Sequence, residues 1–242
     1  MRKAIAAAVI ALSAATSACG RAHGEDGGPA VSRNYQVGSF DQIEVAGPYN
    51  VQVRTGPNPS VSAQGSQKMI EHMVVEVRDG KLEIHPERQK GWFHTGWNFH
   101  GKVDLTVTVP QLRGASIAGS GDIKVDQVKG DTFNGEIAGS GGLDVATLDV
   151  QTLKLAIAGS GGTKVGGGRA QNARFEIAGS GDIDAKGVQA QTADVSIAGS
   201  GNIAANATGT ADVSIMGSGD VQLTGGAKCK ISKAGSGNVS CS

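Results

Sequence analysis

Phe175-Glu176-Ile177-Ala178-Gly179-Ser180-Gly181-Asp182-Ile183-Asp184-Ala185 decides the fold. Every second residue, from Phe175 and Ile177 through Gly179, Gly181 and Ile183 to Ala185, is apolar or glycine. That is the period of a strand with one buried face. The phrase recurs: Gly-Ser-Gly begins at Gly119, Gly139, Gly159, Gly179 and Gly199 in steps of 20, then at Gly217 and Gly235 in steps of 18. A fixed period of this size marks a solenoid, whose coils bury their apolar faces only against their neighbours. The expected fold is all-β, a single-stranded parallel β-helix of coils of about 20 residues.

The alternation points both glycines of each Gly-Ser-Gly inward. Either the wall bends too sharply there for a β-carbon, or a positive φ is required. Ser120, Ser140, Ser160, Ser180, Ser200, Ser218 and Ser236 then point outward as a ladder. The next position reads Asp122, Gly142, Gly162, Asp182, Asn202, Asp220, Asn238, so no aspartate has an aspartate neighbour. Two carboxylates one coil apart, about 4.8 Å, would repel by roughly 1 to 3 kcal/mol. The order fits stacking in register.

The last copy departs from the pattern. Lys233 takes an inward isoleucine position, and Cys229 and Cys241 take those of Ala211 and Leu223. Natural sheets blunt an open edge with lysine or a cover. A Cys229–Cys241 disulfide would staple the closing coil; the alternative is two free thiols.

Residues 35–113 read as less regular strands and 114–242 as regular coils of one domain. Ile43 and Val45, then Val51 and Val53, flank Ala46-Gly47-Pro48-Tyr49-Asn50, a worn copy of the bend. Asp79-Gly80 between Val75, Val77 and Leu82, Ile84 predicts a tight hairpin. Val103 to Val109 forms a strand stopped by Pro110.

Four segments together resemble one family: Phe40-Asp41-Gln42-Ile43, Asp79-Gly80-Lys81-Leu82-Glu83-Ile84, Val107-Thr108-Val109-Pro110-Gln111-Leu112 and the Ala-Gly-Ser-Gly coils. It is the auto-transporter adhesin head family, or GIN domain, and the likeness spans about residues 35–240. The resemblance implies a β-helical fold on an exported bacterial protein. It implies no activity and supplies no catalytic residues.

Residues 1–18 read as an export signal: Arg2 and Lys3, then the apolar run Ala4 to Leu12, then small residues up to Cys19. Thr16-Ser17-Ala18-Cys19 resembles a lipoprotein lipobox, though Thr16 stands where an aliphatic residue is usual. Lipidation of Cys19 and ordinary cleavage after Ala18 are both open. Lipidation would leave the other two cysteines as an even pair. Residues 19–34 read as a flexible tether. The chain is expected in the periplasm or outer membrane of a Gram-negative-type bacterium, held to the membrane only through an N-terminal lipid; Gly20 after the cysteine fits outer-membrane sorting by resemblance.

Both tryptophans fall in Gly91-Trp92-Phe93-His94-Thr95-Gly96-Trp97-Asn98-Phe99-His100-Gly101. Trp92, Phe93, His94, Trp97, Phe99 and His100 form either a cover over the core or a binding surface for a sugar ring or protein. A metal site from His94 and His100 lacks a third ligand nearby. No metal or cofactor is expected.

The repeated phrase supplies no known catalytic motif. Ala118 two before Ser120 breaks a nucleophile elbow, and Gly162-Thr163-Lys164-Val165 is not a phosphate loop. The dinucleotide fingerprint lacks its third glycine and its helix. Calcium-binding β-rolls repeat every nine residues, not every 20. No histidine lies beyond His100 to activate a serine. A formal net charge of zero argues against a nucleic-acid partner. The expected function is a non-enzymatic, adhesin-like envelope protein that binds a glycan or an envelope protein. The alternatives are a carbohydrate-active β-helix enzyme and a purely structural module.

Overall fold

A computed structural model describes residues 28–87 and 101–242. The described residues form one sheet of 17 strands wound into a solenoid of about 6 turns. Register follows the glycine marks. Gly119 pairs with Gly139, Gly139 with Gly159, Gly159 with Gly179, Gly179 with Gly199, Gly199 with Gly217 and Gly217 with Gly235, all in parallel. Each regular coil contributes three paired segments, for example 122–125, 127–130 and 132–139 against 142–145, 147–150 and 152–159. Where the step shortens to 18, residues 186–188 have no counterpart in the next coil, whose Ala205 and Asn206 follow directly.

Two different constraints fix the two glycines of the bend. The first has a positive φ, 128° at Gly119 and 133–138° in the later copies from Gly139 to Gly235. The second is held by space alone. A β-carbon on Gly161 would press on the carbonyl oxygen of Gly141 and on Ile137 Cγ2. The bend carries the ladder too: the Ser160 amide donates to Gly139 O and the Gly162 amide to Gly141 O.

Inside, equivalent side chains stack. Ile117, Ile137, Ile157, Ile177, Ile197 and Ile215 form one column, each no more than 3 % exposed. Two neighbouring columns exchange bulk from coil to coil: Phe133 stands beside Gly135, Leu153 beside Leu155, Ala173 beside Phe175. Volume is thus conserved while shape varies, as dense packing requires. Thr163 breaks the apolar rule. It lies between Leu143 and Ile183, 3 % exposed, and its hydroxyl has no hydrogen-bond partner among the described residues. Burying an unpaired hydroxyl costs about 1–3 kcal/mol. Thr163→Val, which keeps the shape, is expected to raise stability by about 1 kcal/mol or more; an unchanged or lower urea midpoint would count against it.

The first half is built from β1 (Ala30–Tyr35), β2 (Gln42–Ala46), β3 (Asn50–Thr55), β4 (Ser60–Ser66), the short helix α1 (Gln67–Glu71), β5 (Met73–Arg78), β6 (Lys81–Pro86), β7 (Val103–Val109) and β8 (Gly114–Gly119). The worn bend is real. Ala46 aligns with Ala118 and Asn50 with Asp122, Gly47 has φ 121°, and its amide donates to Ala118 O. Tyr49 fills the place of the second glycine. Burial, and then the neighbouring Tyr35, pushes its phenol up to about 12, so the ring is neutral in the fold at physiological pH. Asp79 (φ 50°) and Gly80 (φ 76°) close the β5–β6 hairpin in the left-handed conformation that such a two-residue turn needs.

Coil order and chain order part company here. β2 lies between β6 and β8, and β3 between β7 and the strand from Asp122. The β2–β3 coil is therefore sandwiched by a coil formed later in the chain. β4 pairs antiparallel with β7, and β1 antiparallel with β4, ending the sheet. Residues 30–34, read as tether, are thus strand: Val31 and Tyr35 pack on the core, and pairing satisfies the open edge of β4. The helix α1 was likewise not expected. It buries Met69 and Ile70 on a single turn.

At the other end, Cys229 and Cys241 form a disulfide, with Cα atoms 6.7 Å apart. Lys233 replaces isoleucine opposite Ile215, and its Nζ donates to Gly237 O at 2.7 Å. No further coil stacks on that carbonyl among the described residues, so the lysine takes the place of the missing ladder partner.

Candidate binding surface

Outward residues of the segments leading into each bend make three columns. One runs through Asn134, Lys154, Arg174, Asp194 and Asp212. The next runs from Glu44 through Ser116, Glu136, Ala156 and Glu176 to Ser196. The third is almost pure alanine: Ala46, Ala118, Ala138, Ala158, Ala178, Ala198, then Met216 and Ala234. At about 4.8 Å per coil, the methyl stripe extends roughly 34 Å. Because alanine is shorter than its charged neighbours, the part of the stripe from Ala118 to Ala198 becomes the floor of a trough of about 590 Å³, with Glu44, Lys81, Glu136 and Glu176 on its flank.

Ion pairs between coils hold that flank. Arg174 lies 2.6 Å from Glu176 and 3.0 Å from Asp194 on the next coil, and Lys154 Nζ lies 3.6 Å from Glu176. The hydrogen bond from Arg174 holds the Glu176 carboxyl below the usual carboxylate range, and the bond that Lys81 donates to Glu44 holds its ammonium above its ordinary value. These groups are solvated, so they order the wall more than they stabilise it. The stacked polar column after each bend is bonded coil to coil. Asn202 Nδ2 donates to Asp182 Oδ1 at 2.8 Å, and the Asn238 amide to Asp220 Oδ1 at 2.7 Å. A second, more polar groove of about 530 Å³ is lined by Gln151, Gln171, Gln191, Asp149 and Arg169.

Export residues 1–18, Cys19 and the set Trp92, Phe93, His94, Trp97, Phe99 and His100 lie outside the described residues. The two strands flanking that aromatic set, β6 and β7, share the coil beneath β2–β3. The trough was not anticipated, although its signal, an alanine before every Gly-Ser-Gly up to Gly199, is in the sequence. Met216, 70 % exposed, interrupts the stripe at the first shortened coil. One group of metal-ligating type is brought together by the hairpin: Glu76, Glu83 and His85.

The family model described as "Putative auto-transporter adhesin, head GIN domain" matches residues 39–227, most of the chain. The chain belongs to that family. Solved structures share the GIN-domain fold. A "putative adhesin" from Bacteroides fragilis is 26 % identical with a TM-score of 0.78, covering 87 % of this chain and 96 % of that one. A "putative lipid binding protein" from Parabacteroides distasonis is 24 % identical with a TM-score of 0.66, covering 88 % and 97 %. A "putative adhesin" from the same species is 21 % identical with a TM-score of 0.68, covering 88 % and 96 %. The likeness to the two Parabacteroides proteins is one of fold alone. No curated protein matches the chain. None of the described helices of this GIN-domain protein is long and apolar enough to cross a membrane.

Proposed function

We propose that this GIN-domain protein is a non-enzymatic, adhesin-like protein of the bacterial envelope whose alanine-floored trough binds an extended partner, a glycan or an envelope protein. The observation that carries the reading is the unbroken run of the trough across successive coils. A methyl floor accepts the apolar face of a sugar ring or an extended peptide, while Glu44, Lys81, Glu136 and Glu176 offer charge-assisted hydrogen bonds along one side. Repetition suits a polymer, because each coil offers nearly the same contact again.

A carbohydrate-active solenoid enzyme would mount paired carboxylates on loops inserted between coils. The coils from Gly114 onward follow each other without insertion, which supports binding over turnover. We read residues 1–18 as an export signal, followed either by lipidation of Cys19 or by ordinary cleavage after Ala18, which supports a periplasmic or outer-membrane location; membership of an adhesin-like family agrees with an exported protein.

Cell-wall fragments and glycans are screened for binding to the wild type and to Ala178→Arg, which plugs the trough on an exposed position without touching the core. Binding lost in Ala178→Arg with an unchanged Tm is the expected result. Binding that survives Ala178→Arg but is lost in a Trp92→Ala/Trp97→Ala variant moves the surface to the aromatic segment. Hydrolysis of any polysaccharide would overturn the non-enzymatic reading.

A further inference from the structure

The β5–β6 hairpin places Glu76 directly opposite Glu83, and Glu83 aligns with Glu44 on the adjacent β2. Three carboxylates thus stand in one row across three strands, where opposed like charges weaken the ladder. Two are answered by cations: Lys81 Nζ lies 2.9 Å from Glu44, and Arg78 Nη2 lies 2.8 Å from Glu76. Glu83 has no ion pair among the described residues.

His85 gives the row a chemical direction. Its Nδ1 lies 2.9 Å from the carbonyl oxygen of Pro86. A carbonyl only accepts, so Nδ1 bears the proton, and in the neutral ring Nε2 carries a lone pair. That Nε2 sits 3.5 Å from Glu76 Oε1. A neutral imidazole nitrogen and a carboxylate oxygen are both acceptors, and no hydrogen bond joins two acceptors. Arg78 already answers that oxygen, so the open valence is the lone pair on Nε2, which a proton or a metal ion would fill.

We propose that Glu76, Glu83 and His85 form a three-ligand site for a zinc-class divalent cation. Their ligand atoms already lie within 4.8 Å of one another. Zinc holds imidazole nitrogen and carboxylate oxygen at about 2.0–2.2 Å, so a tetrahedral shell needs them roughly 3.4 Å apart. Rotation of the two glutamate side chains supplies that contraction, while the hairpin ladder keeps the backbone fixed. The Nδ1–H bond to the Pro86 carbonyl is the outer-shell contact that orients a metal-binding imidazole. Arg78 lies on Oε1, the same oxygen that faces His85, so the ion takes Oε2 once the Glu76 carboxylate turns. His85 and Glu76 are 25 % and 32 % exposed, and the site opens on a groove of about 720 Å³. Three protein ligands and an open side leave a fourth position for water or for a ligand atom of a bound partner. The set mixes nitrogen and oxygen donors, which suits zinc-class ions over calcium or magnesium.

The full chain, stripped with chelator, is titrated calorimetrically with Zn²⁺ and, separately, Mg²⁺ at a pH of about 7.5, above the usual histidine range. One equivalent of Zn²⁺ is expected to bind and raise the Tm, with Mg²⁺ weak or silent. His85→Ala and the isosteric Glu83→Gln should each lower zinc affinity by at least about the 10–100-fold that loss of an outer-shell partner costs. His72→Ala, which alters a separate histidine, should leave affinity unchanged, and far-ultraviolet circular dichroism should match in all four proteins. Equal zinc affinity in His85→Ala or Glu83→Gln overturns the site. So does a wild type that binds no zinc while His85 titrates as a simple ion pair with Glu76.

Discussion

Gly159→Ala is expected to destabilise the protein by about 2 to 6 kcal/mol, the sum of a forbidden backbone region and an overpacked wall, each about 1–3 kcal/mol. Gly159 has φ 135°, and an added β-carbon would meet the Gly139 carbonyl oxygen closer than the 3.0 Å that real β-carbons essentially never breach. That obstacle is main chain, locked by the Ser160 amide that donates to the same oxygen. It has nowhere to go. A fall in Tm on the order of 10 °C should follow for a chain of this size. Ser160→Ala, one residue on, changes only an exposed side chain and should stay within about 0.5 kcal/mol of wild type. If the two variants melt together, the bend is not the constraint described above.

Phe175→Ala should cost about 3–5 kcal/mol. The ring is 1 % exposed between Leu155 and Val195, and its neighbour in the same coil is only Ala173, itself stacked on Ala193. Small residues cannot lean in to fill the gap, so the cavity stays open and the cost stays at the high end. The exchange of bulk between columns supplies a sharper test. Adding Ala173→Phe to Phe175→Ala recreates the arrangement of the Phe133 and Gly135 coil, large then small. The pair should recover at least half of the loss, a coupling that distant sites do not show. Strict additivity of the two changes in urea melts would mean that the columns do not share volume.

The period made the regular coils legible because stacked repeats pair locally, each with its sequence neighbour. Gly179, Ile177 and Asp182 foretold their partners by counting. The same logic reached the worn bend at Gly47 and the Asp79-Gly80 turn, both set by backbone conformation written in one or two residues. It failed where pairing is non-local. Nothing between Gln42 and Val109 announces that β6 and β7 slide beneath β2 and β3, since that order depends on which exposed edge the later strands meet first. β1 was missed for a related reason: Ala30–Tyr35 buries so little that only the edge of β4 makes it a strand. The Glu76, Glu83 and His85 group was within reach, because Glu76 and Glu83 stand three residues either side of the Asp79-Gly80 turn. What counting does not supply is the imidazole tautomer, which depends on the Pro86 carbonyl.

Equal register from coil to coil makes the solenoid a ruler. Joining Gly159 directly to Ser180 would remove one full unit and still set identical marks above and below the seam. Lengthening by a unit would do the reverse, leaving the stapled end and the hairpin end untouched. Lineages carrying this architecture can thus match the reach of their wall to the span of what it touches, in increments of a single strand spacing, without redesigning either terminus.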